Sequence, residues 1–506
     1  MKKTLPIMIQ GTHSDAGKSL LVTGLCRIFY QDGYKTTPFK AQNMSLNSYV
    51  TPDGKEIGRS QGVQAEAAGI VATADMNPIL IKPSGHLTSQ VIINGKPLGN
   101  YEATMYRKDF FEHGLEIIQT AYDRLASNYD IIVIEGAGSP AEINLNDREL
   151  ANMRIARLTN APVILVGDID KGGVFASLVG TLQLLEPEDR DRIIGVVINK
   201  FRGELSLLEP GLKWFEEYTG KPVLGVIPYL QDVYMDAEDS VVLETMSSVH
   251  EKKEIDIAVI KYPYISNFTD IDPFFVEPDC SVRYVTNRKE LGSPDIIILP
   301  GTKNTIEDVQ FLKQTGLYAD ILEKHQKGES FIFGICGGYQ MLGTDIADPF
   351  QVESNIGSIQ GFGLLPIKTE LLKDKTTVLS KGELAFNNRL FSVTGYEIHM
   401  GVTSYTELVD SFIRLEDKTD GAKAKSERVI GTYFHGIFHN DAFRAAYLNF
   451  VRVSKGLTAK EDRESYNRIR EDSFDKIGDA LRKNLSLDVI YKKMNDYTEQ
   501  GNKCRG

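Results

Sequence analysis

The chain has 506 residues, of which 42% are hydrophobic and 25% charged, and its 57 basic and 69 acidic residues leave a formal charge of -12. This is the composition of a folded globular protein, long enough for about two to four domains, and the acidic balance argues against a nucleic-acid-binding protein, which would carry a basic face. Cysteines at 26, 280, 336 and 504 form no C-x-x-C pair, so neither a zinc site nor a disulfide framework is expected. No apolar run reaches the roughly 18 residues of a membrane span and the N-terminus lacks a signal-peptide core, so a cytoplasmic protein is expected.

The first predicted element is a buried strand, Ile7 to Ile9, followed by the loop "GTHSDAGKS" and the apolar-periodic "SLLVTGLCRIFYQDG". Strand, glycine-bearing loop and helix are the parts of a phosphate site: N–H groups at a helix start face the anion and the helix dipole favours it. Five residues separate Gly11 from Gly17, one more than in the common P-loop. Thr12, Asp15 and Gly17 would shape the loop, Lys18 would bring a point charge and Ser19 a Mg²⁺ ligand. Next, "FKAQNMS" places Lys40 and Gln42 at a strand end, as candidate substrate contacts.

"YDIIVIEGAG", "APVILVGDID", "RIIGVVINKF" and "KPVLGVIPYL" each hold a short apolar run, the pattern of strands buried on both faces of a parallel sheet. Helical segments such as "FASLVGTLQLLEPEDR" complete βαβ units. Ligands in such sheets sit beyond the strand C-termini, where the polar residues collect. Glu135 and Asp168 could hold Mg²⁺ as Walker-B acids do, and the Asn199 amide could read a purine edge.

After Leu230 the charged, weakly periodic "QDVYMDAEDSVVLETMSSVHEKKE" reads as a connector. A second α/β pattern starts at Ile255, and within it "FIFGICGGYQML" is strand, G-x-C-x-G and helix, a nucleophile elbow with Cys in place of Ser. Cys336 at a helix N-terminus has its thiolate stabilised. The N–H of Gly337, with one from Gly301 or Thr302 in "LPGTKN", would form an oxyanion hole. His435 in "GTYFHGIFHN" is the candidate base, with His439 a weaker one. "GYEIHMG" places Glu397 and His399 on alternate positions of a strand, as a candidate substrate-facing pair. Phe474, Ile477, Leu481 and Leu485 are spaced as one helix face, predicting a late helix that docks back on the body. The expected architecture is α/β with two domains, each a mainly parallel sheet flanked by helices: 1–232, a connector 233–254, 255–450, and a helical extension 451–506.

The first half resembles the dethiobiotin synthetase family, whose phosphate loop also holds five residues between Gly and Gly-Lys. The second half resembles class I glutamine amidotransferases, in which the cysteine of G-x-C-x-G attacks glutamine and releases ammonia. Joined in this order, and with "FKAQNMS", "NPILIKPSG", "EGAGSPAEINL", "GDIDKGGVFA", "SNFTDIDPF" and "YEIHMG", the two are similar to the cobyrinate-amidating enzymes of cobalamin synthesis over nearly the whole chain. The resemblance implies ATP, Mg²⁺ and L-glutamine as ammonia donor, with no tightly bound organic cofactor. It also implies a small-molecule corrinoid substrate, no nucleic-acid or membrane partner, and room for a homo-oligomer.

One branch of that family amidates the a and c side chains. The other amidates the b, d, e and g side chains of adenosylcobyrinic acid a,c-diamide, and "YEIHMG", "FKAQNMS" and the late helix are similar to that branch. Many class I glutaminases have a Glu two residues after the catalytic His. Here that position is Ile437, so the group orienting His435 is not evident. A partition-type regulatory ATPase has a related loop with a second lysine near its start. Here Thr12 and His13 stand there, and such a protein leaves "GICGGYQ" without use. A peptidase built on Cys336 and His435 leaves the phosphate loop without use.

Overall fold

The computed structural model describes residues 4–83, 88–102, 110–238 and 252–503. Cys504 and most of the expected connector, 239–251, lie outside them. The apolar runs of the first half form one six-stranded sheet in the order Val223–Pro228, Ile193–Phe201, Val163–Asp168, Leu5–Gly11, Ile131–Glu135, Thr36–Phe39. Every neighbouring pair is parallel, as β-branched runs buried on both faces require. Ile9 lies opposite Glu135, and Asp168 opposite Asn199. The C-terminal ends of these strands therefore bring the first-half candidates to one edge of the sheet.

Two first-half expectations change. The strand Thr36–Phe39 stops before Lys40, and Gln42 starts a short strand, Gln42–Met44, in a separate four-stranded sheet with Ile79–Pro83, Thr88–Ile93 and Lys96–Glu102. Gln42 therefore does not end a core strand. "FASLVGTLQLLEPEDR" folds as two helices, Val174–Leu184 and Pro187–Arg192, because Pro187 is suited to start a helix and not to continue one.

In the second half the strands run Cys280–Val285, Ile255–Ile260, Ile296–Leu299, Phe331–Ile335, Val429–Thr432, Ala422–Lys423, parallel except for the last pair. Beside this sheet stands a long antiparallel hairpin, Ile367–Phe386 with Arg389–Tyr405, which carries Glu397 and His399. The late helix is Tyr466–Asn484. It docks on the phosphate-loop helix Lys18–Gln31 of the first half: a Cβ on Gly24 would fall 2.4 Å from Leu481 Cδ1 and 2.8 Å from Ile477 Cγ2. Phe474, Ile477 and Leu481 face inward as spaced, and Leu485 is buried too, though it lies just past the helix end in an extended conformation.

Candidate active sites

The phosphate loop joins the strand Leu5–Gly11 to the helix Lys18–Gln31. Gly17 has φ 101°, and a Cβ there would fall 1.9 Å from Asn199 Nδ2. Only glycine takes both that conformation and that approach. Asn199 Nδ2 donates to Ala16 O at 3.0 Å, so one N–H of this amide braces the loop from the neighbouring strand. Asp15 also sits at positive φ in the loop. Thr12 continues the strand, its N–H donating to Val166 O at 2.9 Å. Lys18 Nζ donates to His13 O at 3.1 Å and Gly138 O at 3.2 Å, and burial lowers its pKa.

At the mouth of the loop Ser19 Oγ donates to Glu135 Oε1 at 2.9 Å, and Lys40 Nζ donates to the same oxygen at 3.0 Å. Burial opposes the Lys40 charge, but Glu135 and Glu238 outweigh it and raise its pKa. Asp168 is not part of this group. Its carboxylate accepts from Lys200 Nζ at 2.7 Å and from Asp170 N at 2.9 Å, so its charge is already matched on the next strand. The cavity here has a volume of about 640 Å³, with Lys18, Ser19, Lys40, Asn199 and Tyr229 on its wall. A more apolar groove of about 440 Å³, lined by Gln42, Ile81, Tyr101 and Phe111, meets it at Met44, Ala137 and Gly138.

Cys336 caps the short helix Gly337–Leu342 at φ 53° and ψ -109°, a strained conformation that holds the sulfur out of the strand-to-helix turn. The glycines around it serve close approach: a Cβ on Gly338 would fall 1.8 Å from Leu299 O, and one on Gly334 2.6 Å from Gly338 O. Gly337 lies beside Thr302, whose N would be 3.2 Å from its Cβ. Thr302 and Gly337 both line the cavity next to the sulfur. Gly301, also expected there, backs the imidazole, a Cβ on it reaching 3.2 Å from His435 Cε1, and it is Thr302 that lines the cavity with Cys336.

His435 is fully buried, and its Nδ1–H donates to Asp270 Oδ2 at 2.7 Å, while Asp270 Oδ1 accepts Gly436 N at 2.7 Å. Burial pulls the His435 pKa down, but Asp270 and the nearby Cys336 sulfur together push it up to about 10. The other ring nitrogen, Nε2, has no hydrogen-bond partner. His439, the weaker candidate, bonds through Nε2 to Thr269 O at 3.1 Å, and burial with the Arg59 charge lowers it to about 4. Asp270 was missed because its residue type is common and its partner lies 165 positions away.

The hairpin places its two candidates differently. His399 lines the Cys336 cavity and stacks on Tyr433 at 3.8 Å. Glu397, paired with Lys418 Nζ at 2.7 Å, lies on the wall of a second cleft of about 1180 Å³, and its Oε2 is 3.5 Å from His399 Nε2, so the two side chains do meet as a pair. The Cys336 cavity itself holds only about 30 Å³ and is also lined by Lys82 from the first half and by Lys375. Both lysines donate to Glu56, Lys82 at 2.9 Å.

A cysteine on a strained elbow beside a hydrogen-bonded His–Asp pair, in one chain with a phosphate loop, fits an enzyme that frees ammonia from glutamine and uses it where a phosphate leaves. Residues 7–241 match the model of the CobQ/CobB/MinD/ParA nucleotide binding domain, and residues 256–443 that of the CobB/CobQ-like glutamine amidotransferase domain. The chain is 61% identical over 495 residues to the cobyric acid synthase of Geobacillus sp. (strain WCH70), with 98% of each chain covered. It is 60% identical over 498 residues to that of Anoxybacillus flavithermus (strain DSM 21510 / WK1), again with 98% of each covered. It is 56% identical over 501 residues to that of Geobacillus thermodenitrificans (strain NG80-2), covering 99% of this chain and 100% of the other. The chain is a glutamine-hydrolysing amide ligase. It belongs to the cobyric acid synthase family and acts in cobalamin biosynthesis by amidation.

Proposed function

We propose that the protein converts adenosylcobyrinic acid a,c-diamide to adenosylcobyric acid by amidating the b, d, e and g carboxylates, with ATP and glutamine. The observation that carries the residue assignments is the His435–Asp270 bond with an unpartnered Nε2 on the Cys336 side. Asp270 fixes the ring so that Nε2 faces the sulfur and accepts its proton. The thiolate attacks the amide carbon of glutamine, and the developing oxyanion takes the N–H groups of Gly337 and Thr302. The C–N bond breaks as His435 returns a proton to nitrogen, and ammonia leaves. Water, deprotonated by His435, then hydrolyses the thioester to glutamate and restores the thiolate.

In the first half a corrinoid carboxylate attacks the γ-phosphorus of ATP and ADP leaves. The resulting acyl phosphate is attacked by ammonia, giving the carboxamide and phosphate. Lys18 and Lys40 stand where charge on the transferring group is offset. Ser19 and Glu135, whose oxygens meet at 2.9 Å, fit a Mg²⁺ ion, which when bound neutralises phosphate charge. The apolar groove that joins the nucleotide cavity at Met44, Ala137 and Gly138 suits the corrin ring, and this continuity with the nucleotide cavity supports it over the larger cleft near Glu397.

Mass spectrometry of the corrinoid products tests this reading. With ATP, Mg²⁺, glutamine and the adenosyl a,c-diamide, four successive losses of about one mass unit are expected, as each hydroxyl becomes an amino group. Cys336→Ala should lose glutamine-dependent amidation and keep the ammonium-dependent reaction. Amidation of cobyrinic acid alone, stopping after two steps, would overturn it.

A further inference from the structure

The second half follows a segment that passes through the nucleotide cavity. Asp236 is held by Arg59 at 2.7 Å and Arg470 at 3.2 Å. Asn47 Nδ2 donates to Ala237 O at 3.0 Å, and Ser45 Oγ donates to Glu238 O. These four ties place Glu238 on the cavity wall beside Ser19 and Lys40. Its Oε2 accepts from Ser19 Oγ at 3.4 Å and its Oε1 from Lys40 Nζ. The Lys40 ammonium thus bridges two carboxylates that converge on the Ser19 hydroxyl.

Two further groups lack partners here. Ser60 Oγ, on the cavity wall and 5% exposed, makes no hydrogen bond, and neither does Oε1 of the fully buried Gln64, whose Nε2 donates to Glu135. Buried polar atoms without partners are rare in a finished site. Mg²⁺ takes one or two carboxylates, with phosphate oxygens and several waters completing its shell. Two carboxylates, one hydroxyl and nearby unpartnered oxygens are such a set.

We propose that Glu238 is the second carboxylate of the divalent-cation site, joining Ser19 and Glu135 when the metal–nucleotide complex binds. This rests on the reading that the first half binds ATP with a divalent cation. The cation takes the position between the carboxylates that Lys40 bridges, and Lys40 turns to the phosphoryl oxygens. Because Glu238 is carried on the segment leading to the second half, the bound cation fixes that segment.

The test uses the full chain with Mn²⁺ and a non-hydrolysable ATP analogue, reading bound Mn²⁺ by electron paramagnetic resonance. In the wild type, Mn²⁺ binding that depends on the analogue is expected; its absence would overturn the ATP reading itself. Glu238→Gln should weaken Mn²⁺ binding about 10- to 100-fold, with Glu238→Asp intermediate and with affinity for metal-free analogue within about twofold. Backbone amides of 231–238 should exchange more slowly once Mn²⁺ and analogue bind in the wild type, and not in Glu238→Gln. Equal Mn²⁺ binding by wild type and Glu238→Gln would overturn the proposal. So would a Glu238→Gln variant that binds metal-free analogue much more tightly, since Glu238 would then be a plug expelled by phosphate.

Discussion

Replacing Asp270 by Asn keeps the size of the side chain and removes the charge that holds His435 Nδ1–H. Asp270→Asn should lower kcat for glutamine hydrolysis by roughly 10²- to 10⁴-fold while ammonium-dependent amidation persists, a contrast read by assaying the two nitrogen sources side by side. The pH dependence has a definite sign. A histidine whose folded pKa is raised to about 10 stabilises the fold fully below its ordinary value near 6.5, and that contribution is lost as pH rises through about 10. Melting temperatures between pH 6 and 10 should therefore fall more in the wild type than in Asp270→Asn. Gly338→Ala puts a methyl on the Leu299 carbonyl, so thiol alkylation of Cys336 and glutaminase activity should both drop while ATP binding is kept. Cys336 and His435 are legible in sequence because the elbow motif is local and glycines report the turn. Asp270 and Glu238 are not, because each meets its partner only through the fold, Glu238 reaching Ser19 across 219 positions.

The parallel strands of both sheets are legible as elements because each is a run of Ile and Val buried on both faces. Of the hairpin of Ile367–Phe386 and Arg389–Tyr405, only the stretch around Glu397 and His399 is. One face of it is solvated, so Lys, Glu and Thr interrupt its apolar residues and the pattern reads as polar. Its signal was the turn Asn387-Asn388, both at positive φ, a pairing that favours a two-residue hairpin. The docking of the helix Tyr466–Asn484 was legible from its spacing, but not its target, since spacing names a face and no partner. Leu481 fills the space over Gly24 and is fully buried. Leu481→Ala should cost about 2–5 kcal/mol in denaturant unfolding, and the loss should show in the nucleotide-binding half.

Across the whole molecule the two halves meet at a buried charge cluster beside the nucleophile. Glu56 of the first half holds Lys82 of the first half and Lys375 of the second, and the lysines close a cavity of about 30 Å³ next to Cys336. That is the room of about one water, so this contact is expected to open when glutamine enters. Glu56→Gln leaves two lysines buried without a matching charge and should cost roughly 3–5 kcal/mol. The opened pocket should also release glutamate without corrinoid, read as glutamate formed per amide above the wild-type ratio.

The helix bracing the phosphate loop bears on how the chain is made. Arg482 reaches Ile28 O across 454 positions, and Ile477, Leu481, Ile490 and Met494 share one core with the strands Leu5–Gly11 and Val163–Asp168. A ribosome delivering this chain therefore exposes an unfinished first half throughout synthesis of the second. The half that would spend ATP has its core completed only after the half that frees ammonia has been translated, so a chain stopped early is expected to carry an uncovered core in its first half and not to act as an ATPase without its nitrogen supply.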